Sequence, residues 1–198
     1  MEKNEIIEFL RKIDTHLAGE KFELKIIGKS ALLLAGLKDT VGTVDIDSLS
    51  VEGTAHDQKN VRSLEAEFGR AKVTVNGYYL EFVPHAIVFL PQKPRWTSLT
   101  EKYATLTVQY LEPTIVIASK MFSAFASPPR KKDKQDIVAA LDQGLVKFQE
   151  TITVADQIFD CYSMDSRADR FPAVYAYITN DLVKNYGQAT LKYEPPEE

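Results

Sequence analysis

The sequence predicts a mixed α/β (α+β) fold with a C-terminal helical annex. Three observations carry that reading. Apolar runs of strand length recur through the first two thirds of the chain, at 22–27, 44–51 and 105–110. Segments with helical spacing are interleaved with them, which is the pattern of a mixed sheet flanked by helices. Beyond about Gly144 the spacing is helical only. The expected division is therefore a core over 1–143, N-terminal helix included, and a helical region over 144–198.

The elements follow in order. Ile6, Ile7, Phe9, Leu10, Ile13 and Leu17 recur at helical spacing, which predicts an amphipathic helix over 3–18 that stops near Gly19. Phe22 to Ile27 reads as a buried strand, and the Ala- and Leu-rich residues 30–37 as a short helix ended at Gly36. Val44 to Val51 reads as a strand. Asp57 is placed to cap a helix that runs to Phe68, with Gly69 closing it. Lys72 to Val75, Asn76-Gly77 and Tyr78 to Val83 read as a hairpin, because Asn-Gly suits a type I′ turn. His85 to Phe89 is a further apolar run, and 91–95 a Pro-rich loop. Pro113 suits the first turn of a helix over 113–126, which Pro128-Pro129 ends. The charged segment Arg130 to Asp136 opens another helix, to Leu141. Val154, Ile158, Phe159 and Tyr162 mark one later helix, and Phe171, Val174, Tyr175, Ile178, Leu182 and Tyr186 another. The tail Glu194 to Glu198 reads as frayed.

Composition narrows the function classes. The chain has 198 residues, 44% hydrophobic and 26% charged, with a net charge of -4. That balance argues against a protein that coats nucleic acid by charge alone. The single Cys161 forms no internal disulfide, which fits a reducing cytoplasm, and reads as a small buried residue. No apolar run approaches membrane-spanning length, and Met1 to Glu5 is charged rather than the start of a signal peptide. The expectation is a cytoplasmic protein without a membrane partner. His16, His56 and His85 are scattered without ligand spacing, so no zinc site is read.

The chemistry concentrates in two short stretches. In Ile26-Ile27-Gly28-Lys29-Ser30-Ala31-Leu32 an apolar run ends in a glycine and a small hydroxyl residue opens a helix. Such a turn offers backbone N–H groups to a phosphate. In Thr43-Val44-Asp45-Ile46-Asp47 a strand carries two carboxylates separated by one isoleucine. Alternate side chains share a face of a strand, so Asp45 and Asp47 point together and Ile46 points into the core. Aligned carboxylates suit Mg2+, which takes hard oxygen ligands and keeps its other positions for water and substrate phosphate. Gly28-Lys29-Ser30 also matches the end of a P-loop, G-x-x-x-x-G-K-[ST], but the first glycine of that motif falls on Glu23 inside a strand.

Gly28 to Leu32 followed by Asp45-Ile46-Asp47 resembles the nucleotidyltransferase superfamily with the DNA polymerase β-like fold. Downstream, Tyr79-Leu80-Glu81-Phe82-Val83 puts a carboxylate inside an apolar strand, where that family places its third metal-binding acid. Leu111 to Met121, with Lys120, resembles the lysine-bearing helix of the AbiEii-like toxin nucleotidyltransferases. Arg130 to Ile137, with Asp133 and Asp136, resembles the acidic helix start that follows it in that group. The resemblance covers roughly residues 20–142. Two positions depart from it: Lys29 stands where a second glycine is usual, and Glu81 where aspartate is commoner.

The resemblance implies a Mg2+- or Mn2+-dependent transfer of a nucleoside monophosphate from a nucleoside triphosphate, with pyrophosphate as co-product. The acceptor would be RNA, a protein side chain or a small molecule. It implies that Asp45, Asp47 and Glu81 hold the metal, with Glu81 placed as general base. Gly28, Lys29, Ser30, Lys120 and Asp136 would meet the nucleotide and its phosphates. It further implies a toxin–antitoxin or phage-defence setting with an antitoxin partner. The alternative is a catalytically silent module of the same fold that binds or regulates. On the residues alone, blander readings stand beside these. Asp45 and Asp47 can be solvent-facing acids of an edge strand, and Glu81 an outward hairpin residue. Lys120 can be a solvated lysine, and Asp136 a helix cap. The run Arg130 to Lys134 is a wet helix start or a contact for RNA or triphosphate. Trp96 packs on the core or lines a cleft. The aromatic stripe from Phe171 to Tyr186 is a packing face or a base-stacking platform.

Overall fold

The computed structural model describes residues 1–38, 42–50, 54–72 and 77–195. A mixed five-stranded sheet lies among helices. Along the chain, helix α1 (Lys3–Leu17) precedes strand β1 (Phe22–Ile26), helix α2 (Gly28–Ala35), strand β2 (Asp45–Leu49), helix α3 (Ala55–Phe68) and strand β3 (Tyr79–Val83). Strands β4 (Trp96–Ser98) and β5 (Leu106–Leu111) complete the sheet. Helices α4 (Pro113–Ser123), α5 (Lys131–Asp142), α6 (Phe148–Tyr162) and α7 (Phe171–Ala176) follow. The π-helical turn Tyr177–Leu182 then leads into the short α8 (Val183–Tyr186).

The sheet order is β3-β2-β1-β5-β4. Strand β1 runs parallel to β5 and antiparallel to β2, and β2 runs parallel to β3. The central position of β1 explains its composition: Phe22, Leu24 and Ile26 are all buried. Helix α1 begins in a capping box formed by Glu2 and Glu5 and buries the Ile6, Leu10, Ile13 and Leu17 stripe. Asp14 ties that helix to the sheet. Its carboxylate accepts from the backbone N–H of Ala104, Thr105 and Leu106 at 2.8–2.9 Å and from the Thr105 hydroxyl at 2.8 Å.

The chain divides into two compact units. One comprises residues 1–87 and 96–112 and contains the sheet; the other comprises 88–95 and 113–198. The sequence reading places the division at 143/144, whereas these units take α4 and α5 together with the later helices. Helix α4 packs against α5 and α6, so its apolar residues are satisfied by the later helices, an arrangement chain order alone does not reveal. A cluster of Phe89, Phe122, Phe159 and Phe171 forms the heart of this second unit, with ring centroids 4.8–5.6 Å apart. Segment 88–95 belongs here because the Tyr162 hydroxyl accepts from Leu90 N–H (3.2 Å) and donates to the Val88 carbonyl (3.1 Å).

Local differences from the sequence reading have simple causes. Thr54, not Asp57, is the N-cap of α3; Asp57 is its capping-box partner, three residues in. Residues 73–76 of the expected hairpin fall outside the described residues, as do residues 196–198, while Lys72 closes a 3-10 turn, Arg70–Lys72, and does not open a strand. Strand β3 pairs with β2, in parallel. The apolar run 85–89 is a short 3-10 turn at His85–Ile87 that delivers Phe89 and Leu90 to buried positions. Trp96 opens strand β4 and is half-buried, with the Lys25 ammonium 5.8 Å from its ring centroid. Cys161 is exposed rather than buried, because Ile158, Phe159 and Tyr162 take the inward face of α6. Phe171, Val174, Ile178 and Leu182 are buried, which makes the C-terminal stripe a packing face.

Candidate metal centre

Strand β2 sits inside the sheet, between β1 and β3, so Asp45 and Asp47 are not edge-strand acids. Their positions alternate as a strand requires: Ile46 is fully buried, while both aspartates are half-exposed. The parallel register then sets Asp45 opposite Tyr79 and Asp47 directly opposite Glu81. Carboxylate oxygens of Asp45, Asp47 and Glu81 lie within 4.8 Å of one another. Three like charges at that spacing repel, and opposed like charges weaken a sheet. A divalent cation reverses the sign of that interaction. The donor set is entirely hard carboxylate oxygen, which suits Mg2+ or Mn2+.

Gly28 brings the helix turn to this cluster. It adopts φ +65°, and a Cβ built on it would meet Oδ2 of Asp47 at 2.7 Å. Glycine is required on both counts: a left-handed backbone and a close approach. The same turn is fastened to β2 by Ile27 N–H, which donates to the Asp47 carbonyl at 2.8 Å. Asp47 thus lies against the N-terminal turn of α2, where the helix dipole favours negative charge. Ile27 in the N-cap position offers no side-chain acceptor of its own.

Ser30 is used differently from the phosphate contact expected of it. Its side chain is buried and its hydroxyl donates to the Asp45 carbonyl at 2.7 Å, pinning α2 to β2. Lys29 is half-buried in the first turn of α2. Glu81 is the most exposed of the three acids.

Asp45 is held on both carboxylate oxygens. Oδ1 accepts from the Thr43 hydroxyl at 2.6 Å, and Oδ2 from the Tyr79 hydroxyl at 3.4 Å. Burial, then the charge of Asp45, pushes the Tyr79 phenol above its usual range, so it remains a protonated donor. The Arg70 guanidinium lies 5.9 Å from the Tyr79 ring centroid, and its positive charge opposes that upward shift. Thr43, Tyr79 and Arg70 escape sequence reasoning. Only the position of Thr43, two residues before Asp45, is a signal, since strand alternation puts both on one face.

Lys120 and Asp136 belong to the second unit, where they form a buried ion triad with Asp133. The Lys120 ammonium is 2.5 Å from Asp133 and 2.9 Å from Asp136, and all three residues are less than a tenth exposed. Asp133 also accepts from the Ser123 hydroxyl at 3.0 Å and pairs with Arg130 at 3.3 Å. The lysine is therefore not solvated. Asp136 is not a cap, since α5 begins at Lys131 with Arg130 before it. Of the basic run, Lys134 is committed to cation–π contacts with Phe125 and Tyr177, 4.4 and 4.7 Å from the ring centroids. No helix among the described residues is long and apolar enough to cross a membrane. No family model, curated protein or solved structure matches the chain significantly.

Proposed function

We propose that the chain is a divalent-cation-dependent nucleotidyltransferase. One observation carries the reading: Asp45, Asp47 and Glu81, distant in sequence, present oxygens within 4.8 Å of one another beside the Gly28 turn. The mixed sheet and the glycine turn that opens α2 support the family reading. Asp45, Asp47 and Glu81 would hold Mg2+ or Mn2+, which when bound supplies Lewis-acid neutralisation of charge on the triphosphate. The chain's own contribution is positional. Gly28 lets the Asp47 carboxylate lie against the first turn of α2, whose backbone N–H groups favour an anion. Ser30 keeps that turn fixed on β2. Glu81, the exposed acid, takes the proton of the acceptor hydroxyl. The acceptor oxygen then bonds to the α-phosphorus, the α–β phosphoanhydride bond breaks, and pyrophosphate leaves with the electron pair.

The acceptor class is RNA, a protein side chain or a small molecule, and the reading places the protein in the cytoplasm beside an antitoxin partner, as in toxin–antitoxin or phage-defence pairs. The test is incubation with Mg2+ or Mn2+ and each α-labelled nucleoside triphosphate, against total RNA and cell extract as acceptors. Label transfer with pyrophosphate release, lost in Asp45→Ala and Asp47→Ala, supports the proposal. Triphosphate binding without transfer to any acceptor makes the chain a silent module of the same fold. Absence of both binding and transfer rejects the reading.

A further inference from the structure

The geometry points to Thr43 as a positioning residue for the metal centre, with Tyr79 as its weaker counterpart: the Thr43 hydroxyl sets the orientation in which Asp45 offers its carboxylate to a divalent cation. This rests on the metal reading above. A carboxylate ligand on a short side chain can rotate about its Cβ–Cγ bond, and outer hydrogen bonds decide which lone pairs face the ion. Here Thr43 takes a lone pair of Oδ1 at 2.6 Å, a short and strong contact to an ionised acceptor. Tyr79 approaches Oδ2 at 3.4 Å, beyond the usual O–H···O range of about 2.5–3.0 Å, and so holds it weakly. The strength of the two bonds ranks the residues. The Thr43 contact thus fixes the rotation of the Asp45 carboxylate about its Cβ–Cγ bond.

Thr43 can do this because it is itself fixed. It is buried, and its backbone N–H donates to the Met1 carbonyl at 3.0 Å while its own carbonyl accepts from the Met1 amino group. Gly42, at φ +62°, allows the approach; a Cβ there would stand 2.7 Å from the Met1 carbonyl oxygen. The hydroxyl therefore does not follow Asp45 but holds it, and its role is separable from that of the ligands themselves.

The experiment is titration of the full chain with Mn2+, reading the free ion by electron paramagnetic resonance, for wild type, Thr43→Val, Thr43→Ala, Thr43→Ser, Tyr79→Phe and Asp47→Ala. Circular dichroism selects the folded variants. Thr43→Val or Thr43→Ala is expected to weaken Mn2+ binding about 10- to 100-fold. Thr43→Ser should stay close to wild type, and Tyr79→Phe should lose less than Thr43→Val. Wild-type affinity in either folded hydroxyl-less variant overturns the proposal, and so does an equal loss in Thr43→Ser, because the hydroxyl is then not the cause. If Asp47→Ala loses binding while Thr43→Val does not, the metal reading stands and this inference alone falls. If wild type takes no Mn2+, both fall together.

Discussion

Gly28 and Asp47 occupy one place in space: the position of a Cβ on Gly28 is 2.7 Å from Oδ2 of Asp47. Gly28→Ala therefore has two effects that can be measured apart. The left-handed φ costs about 1–2 kcal/mol with any side chain, read as a lower midpoint in chemical denaturation. The added methyl also pushes the Asp47 carboxylate from its place, so Mn2+ affinity should fall further than stability explains. Gly36→Ala is the control. It has a positive φ of +109° with nothing within 4 Å of its Cβ position, so it should cost stability and leave Mn2+ binding alone.

The acid cluster should behave as a site that an added divalent cation stabilises. Glu81 faces Asp47 across the parallel register. Glu81→Gln removes one like-charge opposition, and without divalent ions it should raise Tm by roughly 1–4 °C. Adding Mg2+ or Mn2+ should raise Tm of the wild type, because an ion that binds only the folded chain stabilises it. The same addition should move Glu81→Gln much less. Thermal unfolding with chelator and with each metal checks both directions, and a lower Tm for Glu81→Gln in chelator would count against the cluster.

The buried triad of Lys120, Asp133 and Asp136 predicts a large and rescuable defect. Lys120→Met removes the buried cation that both carboxylates share and leaves Asp133 its contact with the exposed Arg130, a change that costs about 3–5 kcal/mol. Lys120→Met combined with Asp133→Asn and Asp136→Asn removes the charges together and should recover most of that loss. Denaturant midpoints of the wild type, Lys120→Met, the double Asp variant and the triple variant report the coupling. If Lys120→Met alone is as stable as the wild type, the triad is not what holds α4 to α5.

These outcomes bear on how much the sequence disclosed. The spacing of Asp45, Ile46 and Asp47 already determined which side chains share a face, because strand periodicity is local. Helix α1 and the C-terminal stripe were legible for the same reason: burial follows a period that a single segment carries in full. The pairing of Asp47 with Glu81 was not, since a register between β2 and β3 is a long-range fact that no local pattern encodes. Lys120 shows the limit most sharply. Its helical context gave no sign of burial, because the two acids that neutralise it lie on the next helix, beyond Pro128-Pro129. The grouping of α4 with the later helices was equally illegible, as α4 reads equally well against a sheet or against later helices.

Asp14 supplies the pH dependence. Burial pushes its carboxyl up, but the N–H groups of Ala104 and Thr105, the Thr105 hydroxyl and Leu106 N–H together pull it below its usual value. A depressed folded value means that the stabilisation is complete above the unfolded carboxyl range, about pH 4, and drains away as pH falls through the folded value. Wild type should therefore lose stability steeply in acid, below about pH 4. Asp14→Asn keeps one acceptor oxygen where the carboxylate used two, so it should be less stable at neutral pH. Its stability should also depend less on pH over the acid range, and the two curves should approach each other as pH falls. Urea unfolding at a series of pH values reads this directly. Parallel curves would show that the clamp between α1 and the start of β5 does not depend on the charge of Asp14.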